Sequence, residues 1–103
     1  MGKSRFLGVR FGMVFQVEGL DLEAMKQELS RYGEINDVID SEVVGDNGEV
    51  TPVKIIVIDS NAVMVGFVRA RYNCVSHPKY PYLLYPMMDE EEKRKAEEMF
   101  GAV

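Results

Sequence analysis

Val53-Lys54-Ile55-Ile56-Val57-Ile58 is the stretch on which the fold turns. Its apolar side chains fall on both faces of an extended chain. That predicts a central strand covered above and below, or covered by a second copy of the chain. The strand runs from Val50 to Asp59, with Pro52 near its start, where a missing backbone donor is tolerated. Before it, Gly45-Asp46-Asn47-Gly48 is a strong hairpin turn, because Asn-Gly supplies the positive φ angles of a tight connection. Upstream of the turn, Ile35 to Val44 carries Asp37, Asp40 and Glu42, and such charge suits an edge strand. Downstream, Ser60-Asn61 marks another turn. Ala62 to Tyr72 then sets Val63, Val65 and Phe67 on one side and Met64, Val68, Ala70 and Tyr72 on the other, which predicts a fourth strand.

Farther out, Arg5 to Glu18 alternates with a period of two. Leu7, Val9, Phe11, Met13, Phe15 and Val17 share one face, so this is a long half-buried strand. Gly8 and Gly12 flank Arg10 on the other face, leaving room for a bulge, or for another backbone or a ligand beside the guanidinium. Asp21 opens a helix to about Tyr32 with Leu22, Met25, Leu29 and Tyr32 as its apolar stripe and Gly33 at its C-terminal cap. Residues 73–86 contain Pro78, Pro81 and Pro86 and read as an extended ordered loop. Asp89 and Glu92 form a capping box for a charged C-terminal helix to about Phe100. The order is strand, helix, three strands, helix. It predicts a single α+β domain over residues 1–103, with a mainly antiparallel four-stranded sheet, one helix packed on it and a charged C-terminal helix.

The 103 residues carry a formal charge of -5, and the charges are segregated. Residues 1–17 hold three cations and no acid, and residues 18–50 hold ten acids against Lys26 and Arg31. Residues 51–88 are basic again, with Lys54, Arg69, Arg71 and Lys79 against Asp59. The expectation is an acidic side and a basic side, each able to steer a partner of opposite sign. A lone Cys74 excludes an internal disulfide and a cysteine-rich zinc module, and it suits a reducing, cytoplasmic setting. No apolar run reaches the roughly 20 residues of a membrane span. No phosphate loop, nucleophile elbow or dinucleotide fingerprint is present, so neither a cofactor nor a bound metal is expected.

The residues able to do chemistry gather between positions 69 and 85. Cys74 and His77 are the weak catalytic candidates, a thiol with a base three residues away. Alone, the pair is too small a ligand set to close a metal shell. Arg69 and Arg71, two apart on the expected fourth strand, would share an exposed sheet face, followed by Tyr72, Lys79 and Tyr80. Together with Arg10 these are the candidate partner- or nucleic-acid-binding residues, since cations interleaved with rings suit single-stranded nucleic acid. The acidity of the whole chain argues against that use.

Two architectures share parts of the element order. Residues 21–100 resemble double-stranded RNA-binding domains in topology, but Asp89-Glu90-Glu91-Glu92 stands where that family has lysines. The opening strand, helix and meander are similar in order to cystatin-like folds. Ser4-Arg5-Phe6-Leu7 with Ile58-Asp59 and Phe67-Val68-Arg69 resembles a small archaeal ribonuclease P subunit. The helix that follows the arginine strand there is replaced by the Pro-rich loop here, so no family is assigned. The expected function is a small acidic non-catalytic protein-interaction domain, of inhibitor or adaptor type, that self-associates or docks on a basic protein partner. An RNA- or DNA-contacting accessory subunit with a basic strand face is the alternative, and a thiol enzyme centred on Cys74 and His77 the third.

Overall fold

The structure, a computed structural model, describes residues 8–45 and 47–86. The chain forms β1 (Val9–Gln16), α1 (Leu22–Leu29), β2 (Glu34–Val44), β3 (Val50–Ser60), α2 (Ala62–Arg71), β4 (Val75–Ser76) and β5 (Leu83–Tyr85). The five strands make one sheet in the order β2-β3-β1-β5-β4. β1 pairs antiparallel with β3 and parallel with β5, so the sheet is mixed. The expected sheet is corrected in strand number, five rather than four; β1–β3, β2–β3 and β4–β5 pair antiparallel, and the parallel β1–β5 ladder makes it mixed. The expected C-terminal helix lies outside the described residues.

The two-sided apolar run behaves as its composition dictates. β3 is hydrogen-bonded to β2 on one flank and to β1 on the other, which makes it an interior strand. The β2–β3 connection is the tight turn expected from Asn-Gly. Gly48 sits at φ +84, and its N–H donates to the Gly45 carbonyl at 3.0 Å. Acid-rich β2 is at the sheet edge, as expected.

Residues 62–71 form a helix, where alternation predicted a strand. Asn61 caps it, its side chain accepting the Met64 N–H at 2.9 Å. At the other end Asn73 takes the left-handed conformation (φ 49), and the Cys74 N–H reaches back to the Arg69 carbonyl at 3.0 Å. This is a Schellman ending. Val65, Val68 and Tyr72 recur at helical spacing and pack on the core. The segment 73–86 is correspondingly not a plain loop, since β4 and β5 form a small hairpin within it.

α1 starts at Asp21, whose carboxylate accepts the Ala24 N–H at 3.1 Å. It ends at Leu29 with Ser30 as its cap, sooner than the apolar stripe predicted. Gly33 therefore serves a different end: it is buried where a Cβ would lie 2.5 Å from the Asp59 carbonyl oxygen. Both helices pack on one face of the sheet. Leu29 and Val68, with Leu22, Met25 and Val65 beside them, close over Phe11, Met13, Ile56, Ile58 and Leu84.

Candidate functional site

Strand alternation assigns the other face. In β1 the helices take Phe11, Met13 and Phe15, leaving Arg10, Gly12, Val14 and Gln16 on the opposite side. In β3 the same logic leaves Val53, Ile55, Val57 and Asp59 there. Register then carries the pattern across the sheet. Ile39 of β2 pairs with Ile55, which pairs with Val14, while Tyr85 of β5 pairs with Val75 of β4. Val14, Val53 and Tyr85 form a second apolar cluster with Val43, Ile55, Val75 and Leu83, and no helix residue belongs to it. The side that alternation in β1 marks as outer is thus apolar over most of the sheet.

The space left open by Gly12 is filled from within. A Cβ there would stand 2.7 Å from Ile55 Cγ2 and 3.2 Å from Leu83 Cδ2, so these two side chains close over the bare backbone. Above this floor lies a groove of about 320 Å3. Ser41, Glu42, Val43 and Val44 of β2 line one wall, and His77, Tyr80, Leu83 and Tyr85 line the other. Ile39 is 43% exposed on this face. The groove is open and mostly aliphatic, with its polar groups on the rims, which suits a side-chain surface of another protein better than an enclosed small ligand.

The rims differ in charge. β2 carries Glu34, Asp37, Asp40 and Glu42, of which only Asp40 is ion-paired among the described residues, to Lys54. Beside the opposite wall lies Lys79, while Arg69 and Arg71 sit on α2 on the other face of the sheet; none of the three is ion-paired with a described acid. Arg69 donates to Ser76 Oγ of β4 at 2.7 Å, Arg71 lies over the Tyr72 ring and Lys79 over the Tyr80 ring. On the groove face the segregation reduces to Glu34 and Asp37 of β2 against Lys79 across the sheet.

The sequence-level candidates are dispersed. Arg10 faces its register partner Asp59, with Nε–Oδ1 at 2.6 Å and Nη2–Oδ2 at 3.2 Å, and Asn36 adds a bond to Asp59 at 3.0 Å. The hydrogen bond and charge of this pair hold the Asp59 carboxyl below its ordinary range and raise the Arg10 guanidinium. Arg69 and Arg71 are exposed, as expected, but not together: two residues along a helix turn about 200°, so the pair diverges. The shared basic strand face is corrected accordingly. Tyr72 belongs to the fold, its hydroxyl donating to Glu28 at 2.8 Å; burial and that carboxylate push its ionisation upward.

Cys74 and His77 occupy different surroundings. Cys74 packs with the helix-side core, and burial pushes its thiol up to about 11. His77 lines the groove, stacks on Tyr80 with ring centres 5.1 Å apart, and accepts the Lys79 and Tyr80 N–H groups at Nδ1. Three residues apart through a strand, the two side chains leave on opposite faces. Among the described residues no three of His, Cys, Asp and Glu converge as metal ligands, and no helix is long and apolar enough to cross a membrane. Sequence reading missed the groove itself. The available signal was Val14, Val53, Ile55 and Val57, the apolar positions out of phase with the helix-facing set. Comparison with protein-family models, characterised proteins and solved structures finds no match to this chain.

Proposed function

We propose that the chain is a small acidic, non-catalytic protein-interaction domain of adaptor or inhibitor type, which self-associates or docks on a basic protein partner. A cytoplasmic setting is part of the same proposal. The observation that carries it is the apolar sheet face opposite the helices, with its groove lined by Val14, Val53, Ile55 and Leu83. Val14 and Val53 at its floor are already buried, so the gain on docking comes from exposed Ile39 and half-buried Ile55, Val57 and Leu83, at roughly 25 cal/mol per Å2 of apolar area before the costs of association. The acidic β2 rim adds attraction for a basic partner and governs the rate of encounter more than the final affinity. The nucleic-acid reading draws no support from arginines that are engaged by Asp59 or splayed on a helix. The thiol-enzyme reading draws none from a half-buried cysteine on the far side of the sheet from His77.

The test is site-specific photo-cross-linking with the full chain in lysate of its source cells. A photoreactive residue at position 39 is expected to form discrete protein adducts. The same probe at exposed position 67 on α2 is expected to form few. Absence of protein adducts at position 39, or adducts to nucleic acid instead, overturns the proposal.

A further inference from the structure

Resting on that reading, we infer that the partner on the face opposite α1 and α2 is a second copy of the chain, packed face to face about a two-fold axis that runs along β1. The register fixes what such an axis would bring together. β1 is the third of five strands, so a rotation about it lays β3 over the partner's β5, and β2 over the partner's β4. One row across this face reads Asp37, Val57, Gly12 and Leu83, each paired with the next. Beyond Leu83 the row ends at His77, whose N–H bonds the Leu83 carbonyl at 3.2 Å and whose Nδ1 holds the Lys79 N–H at 3.0 Å. The rotation therefore sets Asp37 of each copy against the His77–Lys79 turn of the other, twice per dimer. Exposed Ile39 and half-buried Ile55 meet between these two contacts, over a floor that includes the already buried Val14.

Charge selects this arrangement over the other two-fold packing of the same face. An axis across the strands would lay β2 on β2 and bring the Glu34 and Asp37 carboxylates of the two copies to the same edge, which is repulsive. It would equally stack Lys79 near Lys79. Only the axis along the strands pairs the acidic edge with the basic one. Strand residues that each cover about 3.3 by 4.8 Å bound the face at roughly 550 Å2 per copy, part of it already buried at Val14, Val53 and Tyr85. A total of at most about 1,100 Å2 lies at or below the small end of specific interfaces, so weak association, with dissociation in the micromolar range, is expected.

The experiment is analytical ultracentrifugation of the full chain between about 1 and 100 μM, with variants chosen at exposed positions. The wild type is expected to shift from 11.7 kDa toward twice that mass across the range. Ile39→Glu is expected to weaken association at least tenfold with its melting temperature unchanged, whereas Phe67→Glu on α2 leaves association intact. Asp37→Lys and Lys79→Glu should each weaken association, because each homodimer then carries two like-charge contacts. Mixing the two variants one to one should restore dimer, since both contacts of the mixed dimer are again opposite in charge. A wild type that stays at 11.7 kDa at 100 μM overturns the inference. If adducts from position 39 then identify a different protein, the interaction-domain reading survives without it. A melting temperature lowered markedly by Ile39→Glu in a monomer shows the face covered by the chain's own remaining residues, and also overturns it. Dissociation by Phe67→Glu but not by Ile39→Glu, or failure of the mixture to restore dimer, refutes the proposed packing.

Discussion

Alkylation of Cys74 discriminates between an interaction domain and a thiol enzyme. The attacking species is the thiolate, and burial moves this thiol from about 9.0 to about 11. At pH 8 that lowers the thiolate fraction from roughly 10% to roughly 0.1%, so native alkylation is expected to be about 100-fold slower than in the unfolded chain. The nearby Arg69 guanidinium opposes this, but burial outweighs it. The assay is iodoacetamide labelling of the full chain followed by mass spectrometry, native and in guanidinium chloride, at intervals from pH 7 to pH 11. Steric shielding alone would scale all native rates down by one factor. A raised pKa instead keeps the native rate climbing tenfold per pH unit to beyond pH 10, where the unfolded control has levelled. Linkage gives a companion effect. A folded-state pKa above the unfolded one contributes stability that is complete below about pH 9 and is lost as pH rises through 11. Stoichiometric native labelling at pH 7.5 as fast as in the unfolded control, with a plateau below pH 8, would refute the argument and restore Cys74 as a nucleophile.

Three further outcomes follow from the packing. Gly33→Ala places a Cβ 2.5 Å from the Asp59 carbonyl and 2.6 Å from Ile58 Cγ2, so the strand must shift. A cost of about 1–3 kcal/mol is expected, read as a melting point lowered by roughly 4–8 °C per kcal/mol. Tyr72→Phe removes the hydroxyl bonded to Glu28 and is expected to cost about 1 kcal/mol in denaturant unfolding. Arg10→Gln removes the partner that depresses Asp59. A depressed folded-state carboxyl contributes stability that is present above about pH 4 and lost as pH falls through the lower folded value, so the variant should show a flatter acid limb in pH-dependent melting.

How much of this was legible beforehand depended on whether a segment's neighbours left one reading of its pattern. The Asn47-Gly48 turn, the Asp21 cap and the two-sided run in β3 each had a local cause, and the fold kept all three. Residues 62–71 had two. Val63, Met64, Val65, Phe67 and Val68 are apolar nearly all round, so they satisfy a period of two as well as one of 3.6. The residues that separate the cases lie at the ends, where Asn61 and Asn73 are a start cap and a left-handed stop. Reading Ala62–Arg71 as a helix also separates Arg69 from Arg71, so the misread period alone created the apparent basic face. The parallel β1–β5 pairing left no trace because a three-residue strand has too few positions to show a period, and its partner is about seventy residues away.

The second apolar sheet face follows from arithmetic that the chain contains throughout. β3 presents apolar side chains on both sides, but α1 and α2, eight and ten residues long, both lie on one of them. At 1.5 Å per residue the helices are about 12 and 15 Å long. Two such rods, each about 10 Å across with its side chains, cover one face of a five-stranded sheet and have nothing left for the other. Val14, Ile55 and Val57 are therefore apolar in excess of what the two helices need. Residues that faced only solvent would alternate with the core set as polar side chains, as Arg10 and Gln16 do at the two ends of β1. The β-branched side chains of the second face instead pack as a cluster of their own around Val14, Val53 and Tyr85, and the apolar surface reaches solvent at Ile39.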